Sequence, residues 1–194
     1  MVVTSSSYGM SDHATQVDPP ACVGVIFGAE PAVYNGTDFE AIRDQTLDPS
    51  TYTTGDQIEQ TAVVFPSAEK AKAVLTSQVS QWQSCANRPN PYPPPTRGMQ
   101  MGQRHGEGGY TWTLADVATG DDLVTVQMAG YDNEAGSHQA CQQALGIRAN
   151  VIVKTKACQE MIATTTSNPI FTDTSAAGNY ASLLASAILS NVTF

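Results

Sequence analysis

Apolar residues at steps of three and four predict two helices, and runs of β-forming residues predict the strands around them. The first helix has Ser67 as its N-cap residue and carries its apolar stripe as far as Cys85. The second helix covers about residues 176–191. Residues 58–65 predict a central strand covered on both faces, because both Ala62/Val64 and Val63/Phe65 are apolar. Residues 38–47 predict a short strand or extended segment, with one or two helical turns as the alternative.

Two further runs alternate between apolar and polar residues and predict a hairpin. Residues 110–117 and 123–129 flank a turn at Thr119-Gly120-Asp121 and place aromatic and aliphatic side chains on one face, with threonine and glutamine on the other. In the register centred on Gly120, Leu114 lies opposite Val126. A sheet with one apolar and one polar face is typical of antiparallel pairing with one covered side.

The four cysteines, Cys22, Cys85, Cys141 and Cys158, favour a disulfide framework. Strand-like runs on either side of a turn at residues 148–150 predict a second hairpin, in which Cys141 lies directly opposite Cys158. Directly opposed strand positions are close enough for a disulfide. This pairing leaves Cys22 for Cys85, and the alternative is four buried free thiols. Disulfides indicate an oxidising compartment.

The second hairpin carries small side chains on one face, which suits a helix lying against it. The positions on the hairpin are Ala144, Gly146, Val151, Val153 and Ala157, and the helix over residues 176–191 offers Tyr180, Leu183, Leu184, Ala187 and Ile188. The order of elements predicts an α+β domain, an antiparallel sheet packed with helices. Residues 1–20 are predicted to be a flexible lead-in, and residues 21–194 a single domain.

Composition and charge restrict the possible partners. The 194 residues are 41% hydrophobic and 14% charged, with a formal net charge of −9. The nine basic residues are scattered and form no stripe, which argues against nucleic acid and anionic membrane surfaces as partners. The first residues lack the pattern of a signal peptide. The start of an excised extracellular domain would lack it too. No apolar run approaches the length of a membrane span.

The sequence offers no motif for catalysis, and none for a metal or cofactor. His13, His105 and His138 are far apart, and the serines lie in neither a G-x-S-x-G nor an S-x-x-K pattern. Asp121 and Asp122 occupy a predicted turn, where aspartate is favoured for local reasons. We therefore predict a non-enzymatic protein without a cofactor. The proline-rich run at residues 88–95 predicts a surface loop suited to contacts.

Four residues are the candidates for ligand binding: Tyr34, Arg43, Trp112 and Gln127. Arg43 and Gln127 are polar side chains within predicted strands. They would line a ligand cleft if the domain has one, and the alternative is that they lie on a solvent-exposed sheet face. Trp112 either packs in the core or offers a flat surface to a ligand. Tyr34 completes this predicted set.

Several segments resemble the PknH-like extracellular sensor domain family. They are EPAVYNGT at residues 30–37, AVVFPSAEKA at 62–71, WQSCA at 82–86, YTWTLADV at 110–117 and the hairpin between Cys141 and Cys158. The resemblance implies an antiparallel sheet with helices, the disulfides Cys22–Cys85 and Cys141–Cys158, and a cleft for an unidentified ligand.

The same resemblance implies a place in the cell envelope. Members of the family are external parts of membrane-anchored Ser/Thr kinases or free-standing exported lipoproteins. We therefore expect an extracytoplasmic sensor that reports an envelope small molecule, lipid or glycan to a kinase, with a protein partner also conceivable. A carrier or scaffold lipoprotein is the alternative.

Overall fold

Ten strands of the described chain form one antiparallel sheet in this computed structural model. The structure describes residues 1–48, 56–87, 98–102, 109–132, 137–161 and 178–193. The sheet order is β1-β3-β4-β10-β9-β8-β6-β5-β2, and β7 pairs with β8. The strands are β1 (Val2–Tyr8), β2 (Val17–Asp18), β3 (Ala41–Asp48), β4 (Gln57–Val64), β5 (Gly98–Gly102), β6 (Gly109–Leu114), β7 (Ala118–Thr119), β8 (Leu123–Asp132), β9 (His138–Arg148) and β10 (Val151–Met161).

Helices lie on both faces of this sheet. Two short helices, α1 (Val23–Ile26) and α2 (Pro31–Tyr34), join the long helix α3 (Ala68–Ala86) on one face, and α4 (Tyr180–Ser190) covers β9 and β10 on the other. The predicted start of α3 is confirmed, because the Ser67 side chain accepts a hydrogen bond from the Lys70 backbone N–H at 3.3 Å. None of the described helices is both long and apolar enough to cross a membrane.

The main core lies between α3 and the sheet. Val74, Leu75 and Trp82 of α3 are buried in the same cluster as Leu145 of β9 and Met128 of β8. Burial of side chains of this size contributes roughly 1.5–3 kcal/mol each. The disulfide Cys22–Cys85 ties the residue before α1 to α3, and Cys141–Cys158 joins β9 to β10. Both predicted pairings are therefore formed.

The two predicted hairpin registers had different outcomes. The β9–β10 register is confirmed, with Cys141 opposite Cys158. The β6–β8 register is wrong by two residues, because Leu114 faces Met128 instead of Val126. The turn takes four residues, closed by a 2.8 Å hydrogen bond from the Gly120 N–H to the Leu123 carbonyl, so its centre lies later in the chain than predicted. A shift of two leaves each side chain on its predicted face.

Helix α4 lies on the predicted sheet face but uses a different side of its own surface. Ala181, Ala185 and Leu189 are buried against the small residues of β9 and β10, whereas Tyr180 and Leu183 are 62% and 58% exposed. Alanines allow the helix backbone to approach the sheet more closely than leucines would. Of the predicted contact residues, Ile188 packs against this cluster, whereas Tyr180, Leu183 and Ala187 are exposed, so the prediction was right only in part. Residues 176–177 of the predicted helix lie outside the described residues.

The predicted flexible lead-in is also structured. Strand β1 pairs with β3 along its length, and β2 pairs with β5, so both edges of the sheet are formed by the first 18 residues. Serine and threonine make this segment look unstructured in sequence, but they are compatible with an exposed edge strand. The predicted proline-rich loop at residues 88–95 lies outside the described residues.

Candidate functional site

A short segment near the start of the chain covers a group of polar side chains on the α3 face of the sheet. We call residues 23–30, which comprise α1 and the turn after it, the strap. The side chains beneath it are the polar cluster: Asp44 of β3, Glu59 and Thr61 of β4, Gln143 of β9, and Lys154 and Lys156 of β10. Neighbouring registers place these six positions on one face, so the cluster results from the strand pairing.

The side chain of Lys154 binds the backbone of the strap. The ammonium group donates to the carbonyl oxygens of Gly24, Val25 and Phe27 at 2.9, 3.3 and 2.5 Å. Its Nζ also lies 5.8 Å from the centre of the Trp82 ring. Burial lowers the pKa of Lys154 to about 8, and the nearby Glu59 carboxylate opposes this effect.

Glu59 joins the second lysine to the strap. Its carboxylate lies 2.7 Å from the Lys156 Nζ and accepts a 2.7 Å hydrogen bond from the Gly28 backbone N–H. Burial alone would raise the pKa of Glu59, but Lys156 and Lys154 together hold it below its usual value. Burial also raises the pKa of Asp44, although the Thr61 hydroxyl donates to its carboxylate at 2.5 Å and opposes the rise.

The far end of the strap is closed by a hydrogen-bonded contact between Glu30 and His13. Glu30 is completely buried, and its carboxylate lies 2.5 Å from the His13 Nδ1 and accepts a 3.1 Å hydrogen bond from the His13 backbone N–H. The His13 imidazole stacks on Phe27 at 4.2 Å between ring centres, with the planes 15° apart. The residues before and within the strap are thereby tied together.

The strap lies so close to the polar cluster that a side chain cannot be inserted between them. A Cβ atom added at Gly28 would lie 2.8 Å from the Asp44 Oδ1 and 2.9 Å from the Glu59 Oε1, and closer still to the Thr61 hydroxyl. Gln143 donates to the Ile26 carbonyl at 3.1 Å, and its own side-chain oxygen is buried without a hydrogen bond to any residue that the structure describes. Replacing the strap by solvent would therefore expose a whole set of paired charges.

A surface pocket of about 310 Å³ lies between α2 and α3. Small apolar side chains and a rim of hydroxyl, amide and ammonium groups line it: Ala32, Val33, Gly36, Thr37, Lys70, Ala73, Val74, Ser77, Gln78 and Gln81. Lys70 forms an exposed 3.0 Å ion pair with Asp38. The Gln78 amide donates to the hydroxyl of the buried Tyr34 at 3.3 Å.

The wall of this pocket is in direct contact with the strap. A Cβ atom at Gly24 would lie 2.5 Å from the Val33 Cγ2 and 2.7 Å from the Gln81 Oε1. Gln81 also donates to the Ala21 carbonyl at 2.6 Å, just before the strap. The Gly24 carbonyl on the other side accepts from Lys154 and from the Trp82 indole N–H at 3.2 Å. One residue of the strap thus touches both the pocket and the polar cluster.

Comparison with known proteins places the chain in a family. The model of the PknH-like extracellular domain matches residues 1–179. The chain belongs to this family. The chain is 27% identical over 150 residues to the serine/threonine-protein kinases PknH of Mycobacterium bovis and Mycobacterium tuberculosis, a match that covers 77% of the chain and 22–23% of the kinases. The crystal structure of the extracellular domain of PknH from M. tuberculosis has the same fold, with a TM-score of 0.73 at 23% identity over 97% of this chain and 82% of that one.

These matches confirm several predictions. The family resemblance, the α+β fold with an antiparallel sheet and two disulfides, and the extracytoplasmic location are all confirmed. The match is to an extracellular domain and not to a kinase domain. It spans less than a quarter of the length of the curated kinases that it matches.

The structure does not bring the four predicted ligand-binding residues together. Tyr34 is buried below the pocket, where burial raises the pKa of its phenol to about 12. Trp112 is in the α3-side core, whereas Gln127 lies on the opposite face of the sheet and donates to the Gly178 carbonyl at 3.2 Å. Arg43 is exposed on β3, over the ring of Tyr8. These four residues therefore do not line one cleft.

Sequence reasoning missed the strap and its lysines. Lys154 and Lys156 share one face of β10 with Ile152 and Cys158, a face that is buried. Two lysines at alternating positions, on the same strand face as Ile152 and Cys158, were a usable signal, because buried charges need partners. Within the described ranges, no group of three or more histidine, cysteine or carboxylate side chains is placed to hold a metal ion.

Proposed function

We propose that this domain binds a small extracytoplasmic ligand in the pocket between α2 and α3 and reports it to a membrane-anchored Ser/Thr kinase. The observation that carries the proposal is the shared contact at Gly24, where the pocket wall, the strap and Lys154 meet. The membership of the chain in the PknH-like extracellular domain family supports the link to a kinase.

The lining of the pocket favours a small molecule with both apolar and hydrogen-bonding groups. Its volume of about 310 Å³ is at the lower end of the usual range for ligand sites. Ala32, Val33 and Ala73 offer apolar contact, while Ser77 and Gln81 offer a hydroxyl and an amide. An envelope small molecule, the polar end of a lipid or a glycan unit fits this description.

Ligand binding would reach the strap through Gln81. A ligand that accepts a hydrogen bond from the Gln81 amide competes with the Ala21 carbonyl, which this amide contacts at 2.6 Å. Movement of Gln81 frees space next to Gly24, whose carbonyl is held by Lys154. The two sites are then coupled by differential contacts, as any conformational signal requires.

The same pocket would serve a free-standing lipoprotein that carries a ligand or acts as a scaffold. The two proposals differ in the full-length gene, since a kinase domain supports the sensor and a lipobox supports the carrier. Both share the ligand site and the extracytoplasmic location.

A thermal-unfolding screen of the oxidised domain against fractionated envelope lipids and glycans tests the ligand site. A ligand at 100 times its dissociation constant raises the free energy of unfolding by about 2.7 kcal/mol, which a midpoint shift reveals. Ser77→Leu, which fills the pocket, should abolish the shift. Ser80→Leu, on an exposed part of the same helix outside the pocket, should preserve it. No shift from any fraction, or an equal shift in Ser77→Leu, contradicts the proposal.

A further inference from the structure

Over strands β1, β3 and β4, the described helices leave the sheet face opposite α3 largely uncovered, apart from Ile58 at the edge of the α4 cluster. Helix α4 packs on β9, β10 and β8. In the neighbouring strands, Tyr8 pairs with Arg43, Arg43 with Ala62, Ser6 with Gln45, and Gln45 with Gln60. These pairs form two cross-strand rows, Tyr8–Arg43–Ala62 and Ser6–Gln45–Gln60, which we call the open face.

One row of the open face is a chain of hydrogen-bonding side chains. The Gln60 amide donates to the Gln45 carbonyl oxygen at 2.9 Å, and the Gln45 amide donates to the Ser6 hydroxyl at 3.4 Å. Amides and hydroxyls both donate and accept, so an ordered row of them matches a molecule with several hydroxyl groups.

The other row combines an aromatic ring with a cation. The Arg43 guanidinium lies 5.1 Å from the centre of the Tyr8 ring, and no hydrogen bond or ion pair joins it to another described residue. Tyr8 is 80% exposed, although a large aromatic side chain on a sheet usually packs against a neighbour. A guanidinium offers five donors in a planar fork that matches a carboxylate.

The charges of this region are divided between the two sheet faces. Asp44, Asp48 and Glu59 of β3 and β4 all lie on the strap side, and the described strand positions of the open face include no acidic residue. The whole chain carries a net charge of −9, so a face with one cation and no carboxylate differs from the rest of the protein. This distribution is complementary to an anionic ligand, which most of the surface would repel.

We propose that the open face binds an oligosaccharide that carries a carboxylate. The Tyr8 ring stacks on the C–H face of a sugar, the Ser6–Gln45–Gln60 row binds ring hydroxyls, and Arg43 binds the carboxylate. Three strands at a spacing of about 4.8 Å and two rows about 7 Å apart give a surface for two to three sugar units. This site is separate from the pocket between α2 and α3 and does not depend on it.

Titration of the isotope-labelled domain with trigalacturonate, followed by NMR, tests the proposal, with maltotriose as the neutral probe. We expect trigalacturonate to shift the resonances of Tyr8, Gln45 and Gln60, and to bind at least about tenfold more weakly to Tyr8→Ala and to Arg43→Gln. Maltotriose should bind more weakly than trigalacturonate. Both substituted residues are exposed, so the variants should retain the wild-type unfolding midpoint.

Matched variants elsewhere separate this site from general effects. Lys72→Gln removes an exposed cation on α3, and Tyr180→Ala removes a tyrosine that is 62% exposed on α4; both should bind trigalacturonate like the wild type. Absence of shifts at about 10 mM sugar, equal affinity for maltotriose, or unchanged binding by Arg43→Gln would overturn the proposal. Self-association that Tyr8→Ala abolishes, without sugar binding, would assign the open face to a second copy instead.

Discussion

Replacing Lys154 by methionine tests the attachment of the strap most directly. The substitution keeps a long apolar stem but removes the ammonium group that three strap carbonyls share. Hydrogen bonds to a charged group contribute roughly 2 kcal/mol each, so their loss costs about 6 kcal/mol. The lowering of the pKa of Lys154 from 10.5 to about 8 is the net effect of burial and the neighbouring charges, and it corresponds to a penalty of about 3 kcal/mol on the charged form, which the variant avoids. We expect a net loss of about 3 kcal/mol at pH 7.

The pH dependence gives a second, independent readout of the same residue. Between pH 8 and 10.5, Lys154 binds fewer protons in the folded than in the unfolded protein, so rising pH favours folding. The stability difference between wild type and Lys154→Met should therefore grow by about 1 kcal/mol between pH 7 and pH 9. Titrating groups that do not interact with Lys154 are unchanged between the two proteins and cancel in this difference.

Urea unfolding of the oxidised proteins at pH 7 and pH 9 measures both effects. Lys72→Met, which alters an exposed lysine of α3, is the matched control and should stay within about 0.5 kcal/mol of the wild type. A loss below about 1 kcal/mol for Lys154→Met at pH 7, or a difference that shrinks as the pH rises, would refute the role assigned to its ammonium group.

Three further predictions concern the strap, a disulfide and the buried phenol. Gly28→Ala should lower the free energy of unfolding by about 2 kcal/mol or more in urea, because a Cβ atom there meets the polar cluster, and wild-type stability would contradict the close contact. The double variant Cys22→Ala/Cys85→Ala should lose about 4 kcal/mol, as the loss of a cross-link over 63 residues implies, and an unchanged urea midpoint would count against it. The pKa of Tyr34, raised to about 12, means that its phenol contributes stability below pH 10 that is lost as the pH rises towards 12. The wild type should therefore lose about 1 kcal/mol more than Tyr34→Phe between pH 10 and pH 11, and parallel pH profiles of the two proteins would show that this phenol titrates normally.

Local patterns were sufficient for the parts of the fold that local interactions determine. The start of α3 follows from Ser67 and the periodic stripe behind it, and the β9–β10 register follows from a two-residue turn between equal strands. The prediction of the β6–β8 register was wrong because a four-residue turn does not determine which residues of the two strands face each other. The ring of Trp112 lies against Gly130, the one position of β8 opposite it without a side chain, and this packing sets the register that sequence could not.

Local sequence patterns could not predict the candidate site, for a different reason. The contacts of Lys154 with Gly24 join residues 130 positions apart, and they depend on which face of β10 the strap covers. Polarity alone selected Arg43 and Gln127 as cleft residues, but the two are not neighbours in the sheet. Arg43 lies on the open face, and the binding role predicted for it stays a prediction.

The attachment of the strap also constrains the order in which the domain can be completed during export. The strap leaves the ribosome before β10, the last described strand of the sheet, which carries Lys154 and Lys156 and pairs with β4. Until β10 is present, the strap carbonyls have no ammonium donors and Cys22 has no fixed position against α3. Contacts of such long range form late in folding. The Cys22 thiol can therefore pair with the wrong partner before β10 is in place, which predicts a dependence on disulfide-exchange catalysts during maturation.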